Sequence, residues 1–196
     1  MEAELIRSKG MMCTASGVSF WPLEPRAKDI KIEDIAHALA NLCRFNGHTK
    51  EFYSVAQHCS IMARACEATG GDPETCFALL MHDAAEAYMG DMIRPLKHLT
   101  FGSTFRHYEG ELLEVIWGKF GIKLSYDSWI VNYWDEVMLV TEQRDVMPEE
   151  ASSDGAWFAS RMPLEDTIVP VSPRAAKFMF LNDYNTLSIA RLREAA

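Results

Sequence analysis

Leu79-Leu80-Met81-His82-Asp83-Ala84-Ala85-Glu86 sets three titratable side chains into an apolar run of helical character. On a helix, Glu86 lies one turn beyond His82 and shares its face, and Asp91 follows just past Gly90. Burying an imidazole and carboxylates without partners is costly. A divalent cation removes that cost, because it binds neutral imidazole and ionised carboxylate together. A His-Asp dipeptide alone reads as a salt-bridged helix surface. The apolar surroundings, the added acids and His58 in the preceding helical stretch move the reading toward a metal site. Consecutive helices often pack together, which would bring His58 opposite His82.

Outward from this stretch the chain reads as helices. Asp72 is a good N-cap, Pro73 suits the first helical position, and Gly90 ends the segment. Upstream, Val55, Ile61, Met62 and Ala65 form the inner face of a helix over 53–68, stopped by Gly70-Gly71. An earlier helix runs from Ile32 to Phe45, stopped by Asn46-Gly47. Downstream come a loop carrying Arg94-Pro95-Leu96-Lys97, then helices over about 104–120 and 125–147, and a last one over about 174–193. The proline-bearing stretch 148–173 is long for a loop, which suggests that it covers something. Thr14 to Gly17 is turn chemistry and Val18 to Trp21 is β-prone, so a short hairpin or extended strip over Cys13 to Leu23 is expected outside the helical core. The expected fold is an all-α bundle with this small N-terminal piece, one domain over 1–196 with its core at about 32–147.

Composition limits the partners. The chain has 196 residues, is 48% hydrophobic and carries a net charge of −9, which disfavours duplex nucleic acid. A small anionic substrate remains compatible if a few cations or a metal share one cleft. Five cysteines without a CxxC pair point to reduced thiols and a cytoplasmic protein. No apolar run has signal-peptide or membrane-spanning length.

Several blocks then occur in order: Arg44-Phe45, Ser54-Val55-Ala56-Gln57-His58-Cys59-Ser60, His82-Asp83-Ala84-Ala85-Glu86 and Gly90-Asp91-Met92-Ile93-Arg94-Pro95-Leu96-Lys97. With an aspartate on a later helix they resemble the H…HD…D pattern of the HD-domain superfamily. The similarity extends to the bacterial 5′-deoxynucleotidase branch and its phage relatives that hydrolyse dATP. The resemblance implies an HD helical bundle with one divalent ion (Mn, Co, Fe, Ni or Zn) on His58, His82, Asp83 and Asp135. Asp127, Glu136 and Asp145 are rivals for the last position. It implies Glu86 as catalytic acid supported by Asp91, phosphate binding by Arg44 and Lys97, and stacking by Phe45, where relatives often carry tryptophan. It also implies a homodimer.

The implied activity is metal-dependent phosphohydrolysis of a nucleotide, with a 5′-deoxynucleoside monophosphate favoured because few cations are available for a triphosphate tail. Alternatives are a deoxynucleoside triphosphate triphosphohydrolase, a phosphodiesterase acting on a signalling nucleotide, and a metal-binding regulatory module without catalysis. No P-loop, GxSxG or Rossmann glycine pattern occurs. His37 reads as a packed helix residue, His98 and His107 as exposed, and His48 as a loop residue near Arg44, as is Arg94. Glu142, Arg144 and Asp145 read as a structural ion-pair set.

Overall fold

A computed structural model describes residues 10–97, 99–149 and 161–194. The chain is mostly helical, with one short antiparallel hairpin near its N-terminus, as expected. Strands β1 (Met12–Cys13) and β2 (Ser19–Phe20) pair Met12 with Phe20 and Cys13 with Ser19. The hairpin turn is held by Asp34, whose carboxylate accepts from Thr14 Oγ1 (2.9 Å), Ser16 N (2.7 Å) and Ser16 Oγ (2.8 Å). Asp34 belongs to α1 (Ile32–Asn41), which buries Ile35, Ala36, Leu39 and Ala40 along one face.

The hairpin does not lie wholly outside the core. Phe20 is 1% exposed and stacks on Tyr88 with ring centroids 4.1 Å apart. Burying such a ring contributes about 1.5–3 kcal/mol.

Helix α1 stops four residues short of the expected Phe45. Leu42 turns extended and its carbonyl accepts from Val55 N, while Arg44 N donates to Tyr53 O. These two bonds close the loop between Arg44 and Ser54. Inside it, Phe45 (φ 53°) and Asn46 (φ 51°) occupy the left-handed region, a conformation that costs roughly 1–3 kcal/mol per residue. Lys50 N donates to Val146 O, tying this loop to the far end of a later helix.

Helix α2 (Val55–Ala68) starts at Ser54, whose Oγ accepts from Gln57 N. Helix α3 (Pro73–Leu80) starts at Asp72, whose carboxylate accepts from Thr75 N at 2.9 Å. The expected single helix to Met89 is interrupted. Residues 81–85 form tight turns, and α4 is only Glu86–Met89. Side chains take the carbonyls that a continuous helix would use. His82 Nδ1 donates to Leu79 O (2.7 Å), and Trp117 Nε1 donates to Met81 O (3.1 Å).

Next come α5 (Arg94–Lys97), α6 (Thr100–Phe120), α7 (Trp129–Asp145) and α8 (Pro173–Glu194). Helix α8 packs against α1, α2 and α3, and α2 also packs against α7. The last helix therefore contributes to the core, with Ala176 and Phe180 fully buried.

The described part of the long connection does cover something. Leu164 N donates to Thr141 Oγ1 and Ile168 N to Asp145 on α7. Gln57 on α2 donates to Val169 O and accepts from Val171 N. This strap joins α2 to α7, the helices that carry His58 and Asp135. Among the described residues, no helix is long and apolar enough to cross a membrane.

Candidate metal centre

His58 is fully buried on α2, and His82 and Asp83 stand in the turns after α3. Their ligand atoms all lie within 4.8 Å of one another, so the three form a group that can hold a metal ion. The two Nε2 atoms face each other at 3.4 Å. Asp83 Oδ2 lies 3.2 Å from His82 Nε2 and 3.8 Å from His58 Nε2. From α7, Asp135 Oδ1 lies 3.7 Å from His58 Nε2. Three of the four residues expected around the ion thus come together as one group, and Asp135 stands beside them against His58 without joining that group.

The hydrogen bonds on the other side of each ring test the fit. Leu79 O can only accept, so His82 Nδ1 carries a proton toward it. Glu142 Oε1 lies 2.6 Å from His58 Nδ1. Burial acts to raise the Glu142 carboxyl, but Arg44 and His58 hold it below the usual range. The ionised group accepts, and His58 Nδ1 also carries a proton. In the neutral form of each ring, both Nε2 atoms then present lone pairs to each other. Two such lone pairs need a cation between them. Nitrogen ligands at about 2.0–2.1 Å from a tetrahedral ion stand ~3.3 Å apart, and the nitrogens here stand 3.4 Å apart. The donor set and its spacing fit a divalent ion.

The local charges agree. Burial opposes charge on Asp83, yet His82, His58 and Arg44 pull its carboxyl far below the usual range. Asp135 is likewise held down against burial by His58, Arg44 and His82. Burial would lower His82, but Asp83 and Cys59 raise it well above the ordinary value. Positive charge is favoured at this point, as a proton or as a metal. Cys59 packs its sulfur 3.9 Å from His82 Nδ1. Burial pushes its thiol up, and its sulfur is not among the ligand atoms that come together.

Glu86 starts α4 and is 6% exposed. It no longer shares a continuous helix with His82, because of the turns at 81–85. Burial drives its carboxyl well above the ordinary value, and Asp83 and Asp91 push the same way. Its Oε2 is buried with no hydrogen-bond partner, and its Oε1 lies 3.8 Å from Lys97 Nζ. Asp91 is raised by burial and by Asp83, against Arg44 and Lys97.

The cations are engaged by acids. Arg44 Nη2 donates to Glu142 Oε2 at 3.1 Å, and its Nε lies 3.0 Å from Glu142 Oε1 as an ion pair without hydrogen-bond alignment. Its Nη1 faces Asp83 at 3.5 Å, and the guanidinium sits 5.4 Å from the Phe45 ring centre. Lys97 Nζ lies 3.1 Å from Glu109, a residue the sequence reading did not single out.

Glu142 does not belong with Arg144 and Asp145, the grouping that its position in the sequence suggests. Those two do form a structural set, with Arg144 also donating to Leu164 O and Asp166 O. Glu142 instead faces the centre. A signal existed: Glu142 follows Asp135 by two helical turns and so shares its face.

The rivals for Asp135 are used elsewhere. Asp127 is exposed and bonded to Ser125, Glu136 pairs with Arg161, and Asp145 pairs with Arg144. His48 and His107 are exposed, and so is His37, which the sequence reads as packed. His98 and the side chain of Arg94 lie outside the described residues. Hollows of about 470 and 280 Å³ elsewhere hold none of the site residues. The smaller one includes Asp34, but that carboxylate already holds the hairpin turn.

The chain is 36% identical to the uncharacterized protein YfdR of Escherichia coli over 182 residues, covering 91% of this chain and 96% of that protein. It is 39% identical over 106 residues to an uncharacterized protein of Rhodobacter capsulatus, covering 51% of this chain and 53% of that one. No protein-family model matches the chain.

Proposed function

The chain belongs to the family of the Escherichia coli protein YfdR, and we propose that it is a metal-dependent phosphohydrolase acting on a 5′-deoxynucleoside monophosphate. The observation that carries this reading is the pair of Nε2 atoms 3.4 Å apart, with both Nδ1 atoms committed and Asp83 and Asp135 alongside. The resemblance to the HD-domain superfamily supports it. His58, His82, Asp83 and Asp135 hold one divalent ion, a first-row transition metal given imidazole and carboxylate ligands. When bound, such an ion lowers the pKa of a water ligand and draws charge from a phosphoryl oxygen.

The other residues handle protons and charge. Burial pushes the Glu86 carboxyl up, with Asp83 and Asp91 acting the same way, which suits it to protonate the 5′ oxygen as the ester bond breaks. Asp91 supports Glu86 by pushing its carboxyl in the same direction as burial does. Arg44 Nη1 and Lys97 bind phosphate oxygens, and Phe45 packs against the base or sugar.

The charge balance favours a short phosphate. Even with Glu86 protonated, Asp83, Asp91, Glu109, Asp135 and Glu142 outnumber Arg44 and Lys97, and both cations are already shared with acids. A phosphomonoester dianion demands less of this site than a triphosphate tail. The same proposal includes a homodimer, as the superfamily resemblance implies, in the cytoplasm, as five cysteines without a CxxC pair suggest.

The test is product analysis for dAMP and dATP with Mn, Co, Ni and Zn. Free phosphate and nucleoside from dAMP are expected. Triphosphate and nucleoside from dATP, with dAMP inert, would move the assignment to triphosphohydrolysis. Cleavage of a cyclic or dinucleotide, with both nucleotides intact, would replace it with a phosphodiesterase.

A further inference from the structure

Glu142 joins the two halves of the site. Its Oε1 is 2.6 Å from His58 Nδ1 and 3.0 Å from Arg44 Nε, and its Oε2 is 3.1 Å from Arg44 Nη2. The side chain is fully buried. A buried ion pair is weak evidence for a stabilising role, because desolvating both charges consumes most of what their attraction returns. The position of this one has a chemical consequence. The bond to Nδ1 determines which nitrogen of His58 is left with its lone pair, and that nitrogen faces His82. The hydrogen bond to Nη2, with Nε in ion-pair contact beside it, leaves Nη1 as the guanidinium edge toward Asp83, 3.5 Å away.

We propose that Glu142 is the positioning residue that couples the metal ligands to the phosphate-binding arginine. It fixes His58 in the Nδ1–H form, so that Nε2 serves the metal. With its other oxygen it orients Arg44, so that one edge remains for the substrate. This rests on the metal-centre reading above. It predicts that Glu142 controls metal affinity although it is not a ligand. Partners of this kind, holding the far nitrogen of a ligating histidine, typically change metal affinity by roughly 10- to 100-fold.

The test uses the full chain and Zn²⁺ alone, in two measurements. Chelator competition gives Zn²⁺ affinity for wild type and Glu142→Gln, which keeps the shape but loses the charge shared by His58 and Arg44. A fall of roughly 10- to 100-fold is expected. Nitrogen-15 NMR of histidine-labelled wild type with Zn²⁺ should show the His58 proton on Nδ1 and the metal-shifted nitrogen at Nε2. This second measurement decides the matter if the variant does not fold. Equal affinity of a folded variant, or a His58 bound through Nδ1, would overturn the proposal and leave the metal centre standing. A wild type that binds no Zn²⁺ would overturn both.

Discussion

Removing the Arg44 guanidinium exposes how the buried charges depend on one another. Arg44→Met keeps much of the side-chain volume but leaves the Glu142 carboxylate, fully buried, without its cation. Breaking a buried pair from one side costs roughly 3–5 kcal/mol. At about 2–4 °C per kcal/mol for a chain of this size, melting should fall by roughly 6–20 °C in chelator at pH 7. The pH dependence carries the signature. In the wild type burial opposes the charge on Glu142, but Arg44 and His58 hold its carboxyl low. That contribution to stability is present above the usual glutamate value of about 4.3 and is lost as pH falls. In the variant the carboxyl rises and takes up a proton early. The gap between the two proteins should therefore be widest near neutrality and narrow as pH falls through that range. Arg44→Met combined with Glu142→Gln removes both charges, keeps an acceptor for His58 Nδ1 and should recover much of the loss. Thermal melts from pH 4 to 7 measure all three proteins. An unchanged melting temperature in the single variant, or a double variant no more stable than the single, would refute the reasoning.

Three further outcomes follow from the same geometry. His82→Ala should lose bound metal and turnover together, measured as metal content and phosphate release on one preparation. Glu86→Gln should keep the metal and lose about 10²-fold or more in rate; loss of metal would make Glu86 a ligand. Phe20→Ala removes the ring stacked on Tyr88, should cost about 3–5 kcal/mol, and should lower turnover without lowering metal content, because Tyr88 and Glu86 share α4.

The sequence carries the helices where local chemistry decides them. Ser54 and Asp72 cap α2 and α3 as their residue types require, and the hairpin appears where turn residues precede a β-prone run. It is misleading at 81–85. There the local composition favours a helix, but His82 and Trp117 capture carbonyls, and Trp117 comes from a distant helix. The end of α1 is set similarly, by pairing with Tyr53 and Val55. In the site, His58, His82 and Asp83 are legible because apolar surroundings mark them as buried. Glu109 is not, since its partner Lys97 lies on another element. Glu142 shows itself only through its two-turn spacing from Asp135, because its partners His58 and Arg44 also lie on other elements.

The most direct test of the metal centre is anomalous diffraction from a crystal grown with Mn²⁺ or Co²⁺, collected at the metal edge. The account predicts one strong peak about 2.0–2.2 Å from His58 Nε2, His82 Nε2 and carboxylate oxygens of Asp83 and Asp135. A peak elsewhere in the chain, or a peak at the site with Asp135 turned away or a histidine bound through Nδ1, would contradict it.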